Sequence, residues 1–259
     1  MFYQRERRES TYSKTKKDAT AIRARVPSNL ESQIVNPKSQ IKMTLSEENY
    51  LKTIYHLTTI SEAEVSTNAI AEKMETKASS VTDMLKKLAE KDWIHYKKYQ
   101  GVSLTEKGQL ASKMIVRKHR LWEVFLVEKL NFPWDEVHDI AEQLEHIKSE
   151  QLINKLANFL GNPTKDPHGD PIPDPDGNIV TIEKVLLSEL LQGQTGICVG
   201  VKDSSAAFLK YLDTNKIALG SEITLLAKED FDLSLKISAD KKEMVISNKI
   251  ASNLFVKLI

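Results

Sequence analysis

Cysteine is almost missing from this chain: Cys198 is the only one. A single thiol excludes a disulfide within the chain and any metal site built from several thiolates, and it points to a reducing compartment. Glycine is sparse at nine residues, and none of them forms a glycine-rich phosphate loop. No apolar run approaches the roughly 18–20 residues that cross a bilayer. The N-terminus is polar and basic, without the apolar stretch of a secretory signal. No nucleophile motif stands out. These absences lead us to expect a cytoplasmic, non-enzymatic protein with no membrane partner.

The 259 residues, 41% hydrophobic and 28% charged, suffice for two or more globular domains. The net charge of +1 conceals a gradient. Residues 1–42 carry 10 Lys/Arg against 4 Asp/Glu, and residues 66–121 carry 12 against 6. Residues 122–259 reverse the balance, with 14 against 22. A basic segment inside an otherwise acidic protein suggests one part that faces a polyanion and another that favours cations.

Residues 1–42 show no sustained period and read as a disordered basic extension. Met43 is an alternative start, and an arm that binds DNA phosphates is the rival reading. From Ser46, a candidate N-cap, the pattern becomes helical, with Tyr50, Leu51, Ile54 and Leu57 in phase. A second helix begins near Ser66/Thr67. A third, "SSVTDMLKKLAEK", opens on Ser79 or Ser80 and buries Val81, Leu85 and Leu88. "WIHYKKYQGVSLT" then reads as a β-hairpin. This order, over residues 43–105, is that of a winged helix-turn-helix.

Helices follow at about 105–130, 134–147 and 149–160, with Pro133 suited to the first turn of the middle one. Residues 106–161 therefore form a helical domain. "GNPTKDPHGDPIPDPDGN" interrupts regular structure and makes 162–180 a linker. Short strands and one helix near 204–213 fill 181–259, as in a small β-barrel. The fold class is mainly α with a small β domain.

In a winged helix the third helix enters the major groove of double-stranded DNA. Lys77, Ser79, Ser80, Thr82 and Asp83 lie early enough to reach bases, while Lys86 and Lys87 suit phosphates. Asp83 is repelled by phosphate unless it accepts from cytosine. The wing brings Lys97, Lys98 and Tyr99 to the flanking backbone. Taken singly, such lysines are ordinary solvated residues; their arrangement in a basic segment points to DNA.

The stretch "HDIAEQLEHI" holds a second signal. At about 100° per residue, Glu142, Glu145 and His146 fall within an arc of about 100° that includes His138. The preceding helix carries His119 and Glu123 one turn apart. Antiparallel packing would gather six N/O ligands, a set that suits Mn²⁺, Fe²⁺ or Zn²⁺. Each residue alone reads as a polar helix face; the shared arcs with apolar neighbours imply partial burial, and buried charges need partners.

The segments "ENYLKTIYHL", "SSVTDMLKKLAEKDWI", "LTEKG", "RKHRLWEVFLVEKL", "VHDIAEQLEHI" and "DPHGDPIP" resemble the diphtheria toxin repressor-like and manganese transport regulator-like family of iron- and manganese-dependent transcriptional repressors. The resemblance covers about residues 43–259. It implies a winged helix-turn-helix, a helical dimerisation and metal-binding domain, and a C-terminal SH3-like (FeoA-like) domain. It also implies a homodimer on a palindromic operator, with the metal as co-repressor and metal-uptake genes as targets.

By the same resemblance, His119, Glu123 and His138 form an ancillary site, to which Asp203 is added. Asn49, Glu142, Glu145 and His146 form a regulatory site. Iron-type relatives have Cys where this chain has Glu142, so the chain is similar to the manganese branch. Asn49 stands where relatives have Asp or Met, and Glu48, about 100° away around the helix, is not expected to replace it. His168 is expected to be a loop residue and not a ligand. Two rival functions use the same residues: a winged-helix regulator whose metals are purely structural, and a metal-dependent hydrolase with an open coordination position.

Overall fold

The computed structural model describes residues 43–61, 64–98 and 100–259, apart from the side chains of residues 60 and 61. The expected basic extension, 1–42, and Tyr99 lie outside the described residues.

Three helices and a hairpin open the fold: α1 (Leu45–Ser61), α2 (Thr67–Lys73), α3 (Ala78–Glu90), β1 (Ile94–Lys97) and β2 (Gly101–Leu104). Their apolar stripes meet in one core, where Leu51, Ile54, Ile70, Val81, Leu85, Leu88 and Val102 are fully buried. Two helix starts differ from expectation. Ser46 lies inside α1, and the cap is a reciprocal box in which Glu47 N–H donates to Thr44 Oγ1 (3.3 Å) and Thr44 N–H to Glu47 Oε2 (2.9 Å). α3 opens at Ala78, directly after Lys77, so Ser79 and Ser80 sit within its first turn.

α4 (Glu106–Leu130) is a single 25-residue helix, about 37 Å long at 1.5 Å per residue. Thr105 caps it by accepting from Gly108 N–H at 3.0 Å, and its hydroxyl donates to Asp92 O at 2.9 Å. Gly108 is required by this junction, because a Cβ there would lie 1.9 Å from the Trp93 carbonyl oxygen. The first half of α4 packs on the winged-helix core, and Ser112 donates to the Leu51 carbonyl of α1. The second half builds a separate core from Leu121, Trp122, Val124 and Leu126 with α5 (His138–Leu144) and α6 (Glu150–Phe159).

α5 is shorter than the expected 134–147. Pro133 does not start it, since Pro133 O closes a turn to Glu136 N–H and Val137 is the N-cap. Glu145 is the C-cap, and His146 follows in a turn.

Residues 162–180 lack regular structure but are firmly held. Arg117 donates to Pro173 O (2.5 Å), Arg120 donates to Pro171 O, and Ile172 is buried in the helical core. Gly169 presses so closely on the Val199 carbonyl oxygen that a Cβ would approach to 2.2 Å. Beyond this segment, β3 (Val185–Leu186), β4 (Thr195–Val201), α7 (Ala206–Asn215), β5 (Glu222–Lys228), β6 (Leu235–Ala239), β7 (Lys242–Ile246), α8 (Asn248–Ala251) and β8 (Leu254–Leu258) follow. The strands form one antiparallel sheet in the order β3-β8-β4-β5-β6-β7, wrapped on a core that includes Cys198, Leu209, Ile223, Leu235 and Val256. This is the C-terminal SH3-like unit. Among the described residues, no helix is long and apolar enough to cross a membrane.

Candidate metal centre and nucleic-acid surface

Four elements converge on the acidic interior. α1 presents Glu48, Asn49 and Lys52, and α4 presents His119 and Glu123. α5 and the turn after it present His138, Glu142, Glu145 and His146. The 162–180 segment adds Asp166 and His168. Among the described residues, two groups of three ligating side chains have atoms within 4.8 Å of one another: His119, Glu123 and His138, and Glu123, Asp166 and His168.

Glu123 is the hub of both groups. Its Oε1 lies 3.0 Å from His119 Nε2 and 3.6 Å from His138 Nδ1, and its Oε2 lies 3.8 Å from His168 Nδ1. Burial opposes its charge, but the hydrogen bond from His119 and the nearby imidazoles of His138 and His168 outweigh it and hold the carboxyl far below the usual range. Burial likewise disfavours the His119 cation. Its bonds to Glu123 and to Glu145 (Nδ1 to Oε2, 2.7 Å) prevail and raise its pKa to about 9. His168 rises to about 9 against its own burial, through Glu123 and Asp166. Asp166 rises to about 7, because burial and the charges of Glu123 and Asp170 exceed the help of Arg120.

Apart from both groups, a cleft of about 490 Å³ is lined by Leu45, Asn49, Asp139, Glu142, Gln143 and His146. Asn49 therefore borders the same space as Glu142 and His146. Glu48, not expected to replace Asn49, bonds His146 Nδ1 at 2.6 Å through its Oε2. Lys52 Nζ stands 2.7 Å from Glu142 Oε1 and 2.8 and 2.9 Å from the two oxygens of fully buried Glu145. Burial works against both carboxylates, yet Lys52, together with His119, holds each below its usual range. Glu145 Oε1 is an ion-pair neighbour of Lys52 but receives no well-directed hydrogen bond.

That buried oxygen, and an ammonium lodged between two carboxylates, show a pocket shaped for positive charge. The donors are imidazole and carboxylate with no thiolate, which fits a divalent ion such as Mn²⁺, Fe²⁺ or Zn²⁺. His119 bridges Glu123 and Glu145, so the two expected sites are adjoining halves of one network. Asp203 is outside both groups: its Oδ1 accepts from Ser205 N–H at 2.8 Å, and it lines a different cavity with Phe208 and Tyr211.

His168 is a loop residue, as expected, but a buried one. It is 4% exposed, stacks on Trp134 at 5.9 Å and gathers with Glu123 and Asp166. The sequence carried little warning, because "DPHGD" has no period that would reveal burial. Arg120, bonded to Asp170 and paired with Asp166, folds that segment inward.

The DNA candidates lie on the surface of the winged-helix unit, on α3 and the hairpin. Lys77, Ser79, Ser80, Asp83, Lys86, Lys87, Lys97 and Lys98 are exposed, and Thr82 is partly so. Lys86 pairs with Asp83 at 3.3 Å, which tempers the repulsion that an acidic residue would meet beside phosphate.

Comparison with known proteins agrees with this layout. Residues 42–102 match the family model "Iron dependent repressor, N-terminal DNA binding domain". Residues 105–174 match "Iron dependent repressor, metal binding and dimerisation domain", and residues 185–258 match "FeoA domain". The iron-dependent repressor IdeR of Mycobacterium leprae is 33% identical over 56% of this chain and 66% of its own length. The HTH-type transcriptional regulator MntR of Oceanobacillus iheyensis is 31% identical over 55% of this chain and 90% of its own. A solved manganese-dependent transcriptional repressor in complex with manganese superposes with a TM-score of 0.76 and 34% identity, over 82% of this chain and all of that one. The chain belongs to the iron-dependent repressor family, in which a DNA-binding domain is joined to a metal-binding and dimerisation domain.

Proposed function

We propose that this protein is a cytoplasmic, homodimeric repressor that grips a palindromic duplex operator when Mn²⁺ fills its regulatory site, and that its targets are metal-uptake genes. One observation carries the reading. α1, whose apolar face is the core of the DNA-reading unit, places Asn49 on the same cleft as Glu142 and His146 of the helical unit. Asn49, Glu142, Glu145 and His146 would hold the regulatory cation. His119, Glu123 and His138, joined by Asp166 and His168, would hold the second. When bound, the metal supplies divalent positive charge to carboxylates that the protein otherwise neutralises with its own side chains. Glu142, in place of a thiolate, favours manganese over softer ions.

The residues do the rest. Clamping α1 to the α5 turn fixes the tilt of α3, which sits on the same core, so cation and DNA affinities are reciprocally coupled. Lys77, Ser79, Ser80, Thr82 and Asp83 reach base edges, while Lys86, Lys87, Lys97, Lys98 and Tyr99 meet phosphates. Leu152 and Phe159 on α6, seven residues apart and 40% and 66% exposed, offer an apolar face for a second copy. Duplexes selected by the protein from a random pool, titrated by anisotropy with and without Mn²⁺, test this. The expectation is Mn²⁺-dependent binding that is lost in Glu145→Ala. Equal affinity in all three cases overturns it.

A further inference from the structure

Lys52 is the one member of the network that cannot ligate a cation, yet it occupies the centre of the acidic group. It follows Glu48 and Asn49 by one helical turn and so shares their face. Its side chain is 10% exposed, and its ammonium lies within 2.9 Å of three oxygens, one from Glu142 and two from Glu145. An ammonium is a compact charge with donors only. The lone pairs it engages are those that a metal ion held by Glu142 and Glu145 would need. Glu145 is fully buried, and a buried carboxylate left without a counter-charge is strongly destabilising.

We infer that Lys52 is the resident counter-cation of the regulatory site: it neutralises Glu142 and Glu145 until a divalent ion displaces its ammonium, and so sets the metal concentration at which the site fills. The inference rests on the assignment of Glu142 and Glu145 as metal ligands. It makes Lys52 an affinity-determining residue that touches no metal. It also gives the metal-free protein a fastening between α1 and the α5 turn, so exchange of one cation for another, and not the filling of a void, is the event at this site.

The full-length chain provides the test. Mn²⁺ affinity is measured by calorimetry for wild type, Lys52→Met and Lys52→Arg, alongside thermal unfolding with and without Mn²⁺. Lysine acylation of the wild type is followed by mass spectrometry, with exposed Lys236 as reference. Lys52→Met is expected to bind Mn²⁺ at least tenfold more tightly and to melt lower than wild type only when metal-free. Lys52→Arg keeps the competing charge and is expected to bind no more tightly than wild type. Acylation of Lys52 should rise severalfold on saturation with Mn²⁺ while Lys236 stays constant. Unchanged or weaker binding by Lys52→Met, or constant labelling of Lys52 in a wild type that does bind Mn²⁺, overturns the inference and leaves the functional reading standing. If wild type binds no Mn²⁺, the functional reading fails and takes the inference with it. Should Lys52→Met not fold, the labelling of the wild type decides alone.

Discussion

Filling the metal centre should expel protons, and the number follows from the histidines. His119 and His168 each have a pKa near 9 in the metal-free network, so at pH 7 both are almost fully protonated. Only neutral imidazole ligates. Each histidine that ligates therefore releases one proton, about two per chain when both do. Asp166, with a pKa of about 7, adds a fraction of a third. Isothermal calorimetry with Mn²⁺ at pH 7 in phosphate and in Tris, whose ionisation enthalpies differ widely, counts these protons directly. Apparent affinity should rise about tenfold per pH unit for each such histidine between pH 7 and 9 and flatten above. The same shifts act on the metal-free fold. Raising the His119 pKa from 6.5 to about 9 corresponds to stabilisation on the order of 3 kcal/mol. That contribution is fully present below pH 6.5 and is lost as pH rises through 9, so the metal-free melting temperature should fall across that window. Binding heats that do not depend on the buffer would refute the charge assignment of the network.

Gly108→Ala should destabilise the chain by about 1–3 kcal/mol, the usual range for overpacking, because its Cβ would collide with the Trp93 carbonyl; chemical denaturation reads the change. Lys86→Ala should weaken DNA binding across sequences and lower the slope of log affinity against log salt by about one, measured by anisotropy at several salt concentrations. Arg120→Met should free the segment around Asp166 and Asp170, which limited proteolysis would detect as new cleavage between α6 and β3.

What the sequence disclosed was local. Val81, Leu85 and Leu88 could be placed in a core because a helix repeats its buried face every three or four residues. His119 with Glu123, and His138 with Glu142, were found by the same rule. Angular offset around a helix says nothing of reach, so the bond of Glu48 to His146, across the groove between α1 and the α5 turn, was not foreseen. Lys52 escaped because a lysine among helix residues reads as solvated, and only tertiary packing reveals that it is 8% exposed. His168 and Asp166 depend on Arg120, about 50 residues away, a contact that no period encodes.

The unbroken course of α4 has a mechanical consequence. One helix belongs to two cores, so the DNA-reading unit and the metal-binding unit are mounted on a common shaft and lack a slack joint. His119 lies 13 residues from the Glu106 end of this helix, about 20 Å away, so a rotation of ~5° about the metal-binding turn sweeps that end by ~2 Å. Under the proposed function, small ionic rearrangements around Glu145 would pass along this shaft and reach a recognition helix and its counterpart in a dimer as a change of spacing.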